Sequence, residues 1–186
     1  MKHSLKDLIC SDLFRYHGEV SFKLFFKSLL LIKGFKFTFW LRVSRGLCHI
    51  PLLCYIPRVF HYYYKRQYCS DIGFRHDIGT GFSIYHVFNT AFSDGVKIGN
   101  NVTITHGVTI GHVNGRSPTL LSNIYIGPGA CILGEITVGN NVVIGANAVV
   151  TKSIPDNAIV VGNPARVVSY KGSSGSLINP YLGEEN

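Results

Sequence analysis

Three histidines, His86, His106 and His112, each stand two residues after an isoleucine, at Ile84, Ile104 and Ile110. An imidazole titrates near neutral pH, so each is a candidate general base for taking a proton from a hydroxyl. His86 lies in "SIYHVFNTAFSDG" (83–95), with Tyr85 immediately before it and Asp71 upstream in "SDIGFRHDIGTGFSIYH". Cations gather further along: Arg116 in "GRSPTL", Lys152 in "VVTKSIP" and Arg166 in "GNPARVV". A guanidinium or ammonium pairs well with carboxylate or phosphate, although solvated surface charge is the plainer use of Lys152 and Arg166.

The elements that position these groups are six-residue rungs. From Ile72 the chain reads IGFRHD, IGTGFS, IYHVFN; from Phe92 it reads FSDGVK, IGNNVT, ITHGVT, IGHVNG; later come IGPGAC, ILGEIT, VGNNVV, IGANAV. An aliphatic residue opens nearly every rung, and a small or β-branched residue follows four places on. Each rung makes one short strand and one turn, with the opening aliphatic inside and Gly or Asn at the corners. Three rungs close a coil of about eighteen residues, and stacked coils are spaced about 4.8 Å apart. An ordinary sandwich would alternate with period two instead.

The rhythm breaks between Ile84 and Phe92, where two extra residues intervene. His86 and His106 are therefore one coil apart on the same face, and His112 belongs to the next face. A second interruption, 112–123, is too long for a corner. It is expected to leave the coil as a loop carrying Arg116 and Ser117.

Net charge is +8, but residues 1–70 hold 12 Lys and Arg against 3 Asp and Glu, and the remainder is near neutral. The first segment reads as helical. "SLKDLICSDLFRYHG" runs from a Ser4 cap to Gly18, "SFKLFFKSLLLIKG" from Ser21 to Gly34, and a third helix lies within 35–49. Pro51 and Pro57 bracket a break, after which "PRVFHYYYKRQY" leads into the first coil. The stretch 24–43 is interrupted by Lys27, Lys33, Lys36 and Arg42, which argues against a membrane span. It suits packing on protein, or an anionic membrane surface. Nucleic acid is disfavoured, because the basic residues are embedded in apolar patterning. Five cysteines without C-x-x-C spacing, and no signal peptide, lead to an expectation of reduced thiols in the cytoplasm, with contact at the inner membrane face as an option. The tail 172–186 reads as flexible.

These repeats and the closing "IPDNAIVVGNPARVV" (154–168) resemble the hexapeptide-repeat acetyltransferases, over roughly residues 70–168. The resemblance implies a mainly β protein: a left-handed parallel β-helix (69–168) behind a helical region (1–68) and before a tail (169–186). It also implies a homotrimer and acetyl-CoA as co-substrate, with no metal. Within the group the chain looks most similar to serine acetyltransferases and to short O-acetyltransferases of capsule and O-antigen synthesis. In serine acetyltransferases a larger helical domain joins two trimers; here that region is much shorter.

The same resemblance makes His86 the general base and Asp71 its orienting carboxylate. It places Arg116 on a substrate carboxylate, Gly127, Gly145 and Ala146 beside the pantetheine arm, and Thr151, Lys152 and Arg166 near the nucleotide phosphates. His112, in "TIGHVNG", resembles the Gly-His of sugar acetyltransferases and is the second candidate base. A zinc site like that of γ-class carbonic anhydrases fits poorly, because His106 and His112 leave from different faces. Two positions depart from serine acetyltransferases: Tyr85 replaces an aspartate that holds the amine of serine, and Ser117 replaces a histidine. On those departures the expected acceptor is a sugar hydroxyl of a surface polysaccharide or its precursor, with Tyr85 stacking on the sugar. Serine is the alternative acceptor, and a catalytically idle scaffold is the alternative of a different class.

Overall fold

The computed structural model describes residues 3–183. Four helices come first: α1 Leu5–His17, α2 Phe22–Leu31, α3 Lys33–Gly46 and α4 Tyr55–Gln67. Short strands follow and stack in parallel to form three faces of a solenoid. The first face holds β1 Asp77–Ile78, β4 Lys97–Ile98, β7 Thr119–Leu120 and β10 Thr137–Val138. The second holds β2 Ser83–Ile84, β5 Thr103–Ile104, β8 Tyr125–Ile126, β11 Val143–Ile144 and β13 Ile159–Val161; antiparallel β14 Arg166–Ser169 lies on its edge. The third holds β3 Ala91–Phe92, β6 Thr109–Gly111, β9 Cys131–Leu133 and β12 Val149–Val150. Four strands on the first and third faces give about four turns of coil.

The rung pattern explains the core. Openers such as Ile84, Ile104, Ile126 and Ile144 stack in register. The residues four places on, such as Val102, Val108, Ala130 and Ala148, fill the corners, and all of these are almost fully buried. No rung buries its own face, so stability comes from stacking. At one corner Asn101, Asn123, Asn141 and Asn157 all take left-handed φ, between 55° and 63°. Their side-chain amides hydrogen-bond from one coil to the next.

The helices close the first coil. Phe37, Leu41 and Tyr68 share one hydrophobic cluster with Ile72, Ile78 and Ile84. α1 begins with Ser4 and Asp7 in a reciprocal capping box and ends at Gly18 in the left-handed region. Two sequence expectations change here. Gly34 does not end α2; it sits in the first turn of α3, where any Cβ would strike the Ile84 carbonyl. The segment after Pro57 is not a lead-in but a full helix, α4, because Pro57 falls in its first turn, where no intrahelical N–H is needed.

The tail is held in place rather than flexible as far as Tyr181; 184–186 lie outside the described residues. Ser173 is buried and donates through Oγ to the Asn123 carbonyl at 2.6 Å. Asn101 exchanges two hydrogen bonds with the Tyr181 backbone, and Tyr181 packs edge-on against Phe14. The segment thus straps the asparagine corner from the last coil back to α1.

Candidate active site

β2 carries Tyr85 and His86 at its end, and α1 and α3 fix that strand. Tyr16 Oη donates to the Ile84 carbonyl and accepts from the Ile84 N–H, both at 3.1 Å. Arg15 donates to Thr103 Oγ1 at 2.7 Å and to the Gly81 carbonyl at 3.0 Å. Asp12 accepts from the Phe82 N–H at 2.8 Å and is gripped by Arg42 through Nε at 2.9 Å and Nη2 at 3.0 Å. Arg42 also donates to the Ile78 and Gly79 carbonyls. Asp12 and Arg42 are both 1 % exposed, so helix and coil meet through a dry, fully hydrogen-bonded ion pair.

The two extra residues widen the next corner. β2 and β3 openers are eight residues apart, Ile84 to Phe92, where neighbouring rungs use six, as in Ile98 to Ile104. Val87 turns inward and is buried, while His86 and Asn89 take left-handed φ of 56° and 51°. A left-handed histidine is uncommon and is the sort of backbone held where geometry matters. His86 is thereby aimed outward beside His106, their ring centroids 6.1 Å apart and edge to face. The predicted juxtaposition holds: the Tyr85 N–H donates to the Ile104 carbonyl at 2.9 Å, one coil on.

Both imidazoles line a cleft of about 310 Å³ with Tyr85, Thr105, Tyr125 and Pro128, closed on one side by Ser176 and Ile178 of the tail. Tyr85 also packs on Tyr16 at 5.5 Å. Burial pushes its hydroxyl above the usual tyrosine range, so it stays a neutral hydrogen-bond donor near neutral pH. Tyr125, Thr105 and the tail were not singled out from sequence. Register arithmetic could have found Tyr125, because it pairs directly with Thr103; no local pattern marks the tail.

The column continues upward. Gly127 lies over Gly145 and Ala146, and a Cβ on Gly127 would sit 2.7 Å from the Ala146 N. A side chain at Gly127 would collide with the backbone of the next coil, so glycine there lets the coils stack closely on the same edge as the histidines. Arg166 lies further along the same edge, opposite Val161, and its guanidinium forms no ion pair among the described residues.

Other candidates occupy a different corner, between the third and first faces. His112 is exposed at the end of β6. The expected long loop is shorter than 112–123: Val113 and Arg116 pair through two backbone hydrogen bonds around Asn114–Gly115, and the chain rejoins the first face at Thr119. Arg116 holds Glu135 at 2.7 Å in an exposed pair, and Ser117 Oγ donates to the Asp94 carbonyl at 2.6 Å. Thr151 and Lys152 follow β12 at the same corner, exposed. Within one chain, then, His86, His106, Gly127, Gly145, Ala146 and Arg166 share one edge. His112, Arg116, Ser117, Thr151 and Lys152 share another.

Asp71 differs from expectation. Its backbone bridges to Ala91 at the foot of the third face. Its carboxylate holds Lys65 of α4 at 2.5 Å, and no hydrogen bond joins it to His86 among the described residues.

The fold, the rungs and the histidine-lined groove define a hexapeptide-repeat transferase. Residues 118–152 match the family model "Bacterial transferase hexapeptide (six repeats)". The serine acetyltransferase of Buchnera aphidicola subsp. Acyrthosiphon pisum is 35% identical over 153 residues, which is 78% of this chain and 54% of that protein. Soybean serine acetyltransferase apoenzyme superposes with a TM-score of 0.74 at 32% identity, covering 89% of this chain and 69% of that one. The Brucella abortus enzyme in complex with coenzyme A gives a TM-score of 0.74 at 28% identity, covering 92% and 68%. The chain belongs to the serine acetyltransferase family of hexapeptide-repeat proteins. It spans about half the length of the curated relatives it matches.

This corrects the expected polysaccharide acceptor. The relatives are consistently serine acetyltransferases, and the capsule and O-antigen resemblance is not supported. The structure shows why Tyr85 misled: its ring is accounted for by packing on Tyr16 of α1, so a tyrosine there needs no sugar to explain it.

Proposed function

We propose that this chain is an acetyl-CoA-dependent O-acetyltransferase acting on L-serine. The observation that carries this is the left-handed His86, set beside His106 in the cleft lined by Tyr85, Tyr125 and Pro128, in a chain of this family. His86 accepts the proton of the serine hydroxyl as that oxygen attacks the thioester carbonyl. The C–S bond then breaks, and the imidazolium returns its proton to the departing thiolate. His106 lies one coil on, within the same cleft, and Tyr85 offers a neutral O–H to the acceptor. Asp71 orients His86 when it releases Lys65.

The second corner supplies what the first lacks. Arg116 takes the serine carboxylate, with Ser117 and His112 beside it, while Thr151 and Lys152 join Arg166 on the nucleotide phosphates of the donor. Because one chain holds these groups on two separate edges, the site is completed by the neighbouring subunit of a homotrimer. No metal has a part in this chemistry. Purified protein with acetyl-CoA tests the reading: saturable release of free thiol dependent on L-serine, with O-acetylserine as product, is expected, and no serine-dependent thiol release would refute it.

A further inference from the structure

The exposed sides of α2 and α4 are apolar and basic, and neither helix carries an acidic residue. Along α2, Phe22, Phe26 and Leu30 stand at helical spacing and are 88%, 59% and 71% exposed. Lys23, Lys27 and Lys33 lie exposed among them. On α4 and the loop before it, Leu52, Ile56, Val59 and Tyr63 make a second exposed stripe. The two stripes belong to one surface. Ring contacts run unbroken from Phe26 through Phe25, Phe39 and Trp40 to Phe60, and Lys36 ties the Leu30 carbonyl to the Tyr64 ring.

Beside this surface is a cavity of about 500 Å³ lined by Arg45, Arg58, Arg75, His49, Cys48 and Phe74. Arg45 is neutralised by Asp77. Arg58 and Arg75 both stack on Phe74, and the buried Nε of Arg58 has no hydrogen-bond partner among the described residues. The cavity therefore holds one unsatisfied donor and surplus positive charge. The chain passes directly from His49 at its rim to Ile50 and Leu52 on the apolar surface.

We propose that the α2–α4 face docks on a lipid bilayer carrying anionic headgroups, with the apolar stripes in the acyl boundary and a lipid phosphate in the arginine cavity. Charge complementarity selects this occupant. Between Glu19 and Asp71 the sequence holds no acidic residue. A second copy of the same face would set cation against cation, whereas an anionic surface attracts each of them. α3 packs its inner side on the first coil, and no residue of α2 or α4 lines the cleft at His86, so docking by this face leaves that cleft free. No helix among the described residues is long and apolar enough to cross a membrane, so the contact is peripheral.

Co-sedimentation of the full chain with phosphatidylcholine vesicles, with and without phosphatidylglycerol, tests this. Binding only to the phosphatidylglycerol vesicles, reversed by high salt, is expected. Replacing Lys23, Lys27 and Lys33 together by Ser should weaken it by about two orders of magnitude, with circular dichroism and assembly mass unchanged. Arg58→Gln and Arg75→Gln should weaken it further, and free inorganic phosphate should compete poorly. Equal binding to both vesicle types, or none to either, overturns the proposal. So does a change of assembly mass in the lysine variant, which would make the face a subunit interface. These readouts do not depend on the acceptor being serine.

Discussion

Arg42→Met should be among the most damaging single changes in the protein. It removes four hydrogen bonds at once and leaves the Asp12 carboxylate, 1 % exposed, with only the Phe82 N–H as a partner. Breaking one side of a buried pair costs about 3–5 kcal/mol. For a chain of this size 1 kcal/mol shifts Tm by about 2–4 °C, so a fall of roughly 10 °C is expected at fixed protein concentration. The loss has a functional echo, because Asp12 holds the strand that ends in His86, and kcat should fall with stability. Adding Asp12→Asn removes the stranded charge and should recover part of the loss. A double-mutant cycle by thermal and denaturant unfolding reads the coupling. If Arg42→Met costs under about 1 kcal/mol, far below the buried-pair range, or if the two changes simply add, the pair does not anchor the first coil.

Further outcomes follow from particular residues. His86→Ala should reduce serine-dependent thiol release by several orders of magnitude, whereas His112→Ala should leave most of it; the reverse ranking would move the base to the other corner. His61 is buried and donates through Nε2 to the Ile72 carbonyl, with Nδ1 unpartnered among the described residues. Burial lowers its pKa to about 4 from an ordinary 6.5. Its neutral form thus contributes stability that is full above pH 6.5 and is lost as pH falls towards 4, at most about 3 kcal/mol by linkage. In His61→Phe, unfolding across that window should show a shallower pH slope. Ending the chain after Lys171 removes Ser176 and Ile178 from the cleft and should raise KM for serine more than KM for acetyl-CoA; equal changes would show that the tail serves stability alone.

The solenoid was legible because its signal is periodic and local: aliphatic openers at intervals of six dictate both the core and the corners. The stacking of His86 on His106 followed from counting along that register. What escaped was carried by distant partners. α4 was hidden by Pro57, which reads as a breaker yet stands where the first turn tolerates it. Missing α4 also concealed Lys65, which holds the Asp71 carboxylate that the family resemblance had assigned to His86. The tail has a linker's composition, and its order rests on a few hydrogen bonds to Asn123, Asn101 and Arg15 far away in sequence. Tyr85 was visible but misread, because its packing partner lies on α1.

Subunit mixing tests most directly the claim that two corners from neighbouring chains form one site with His86 as base. His86→Ala and Arg116→Ala proteins, each inactive alone, are unfolded together and reassembled in equal amounts. With random association, about one interface in four joins an intact His86 to an intact Arg116, so about a quarter of wild-type serine acetylation should return. A mixture as inactive as its parents would contradict the account.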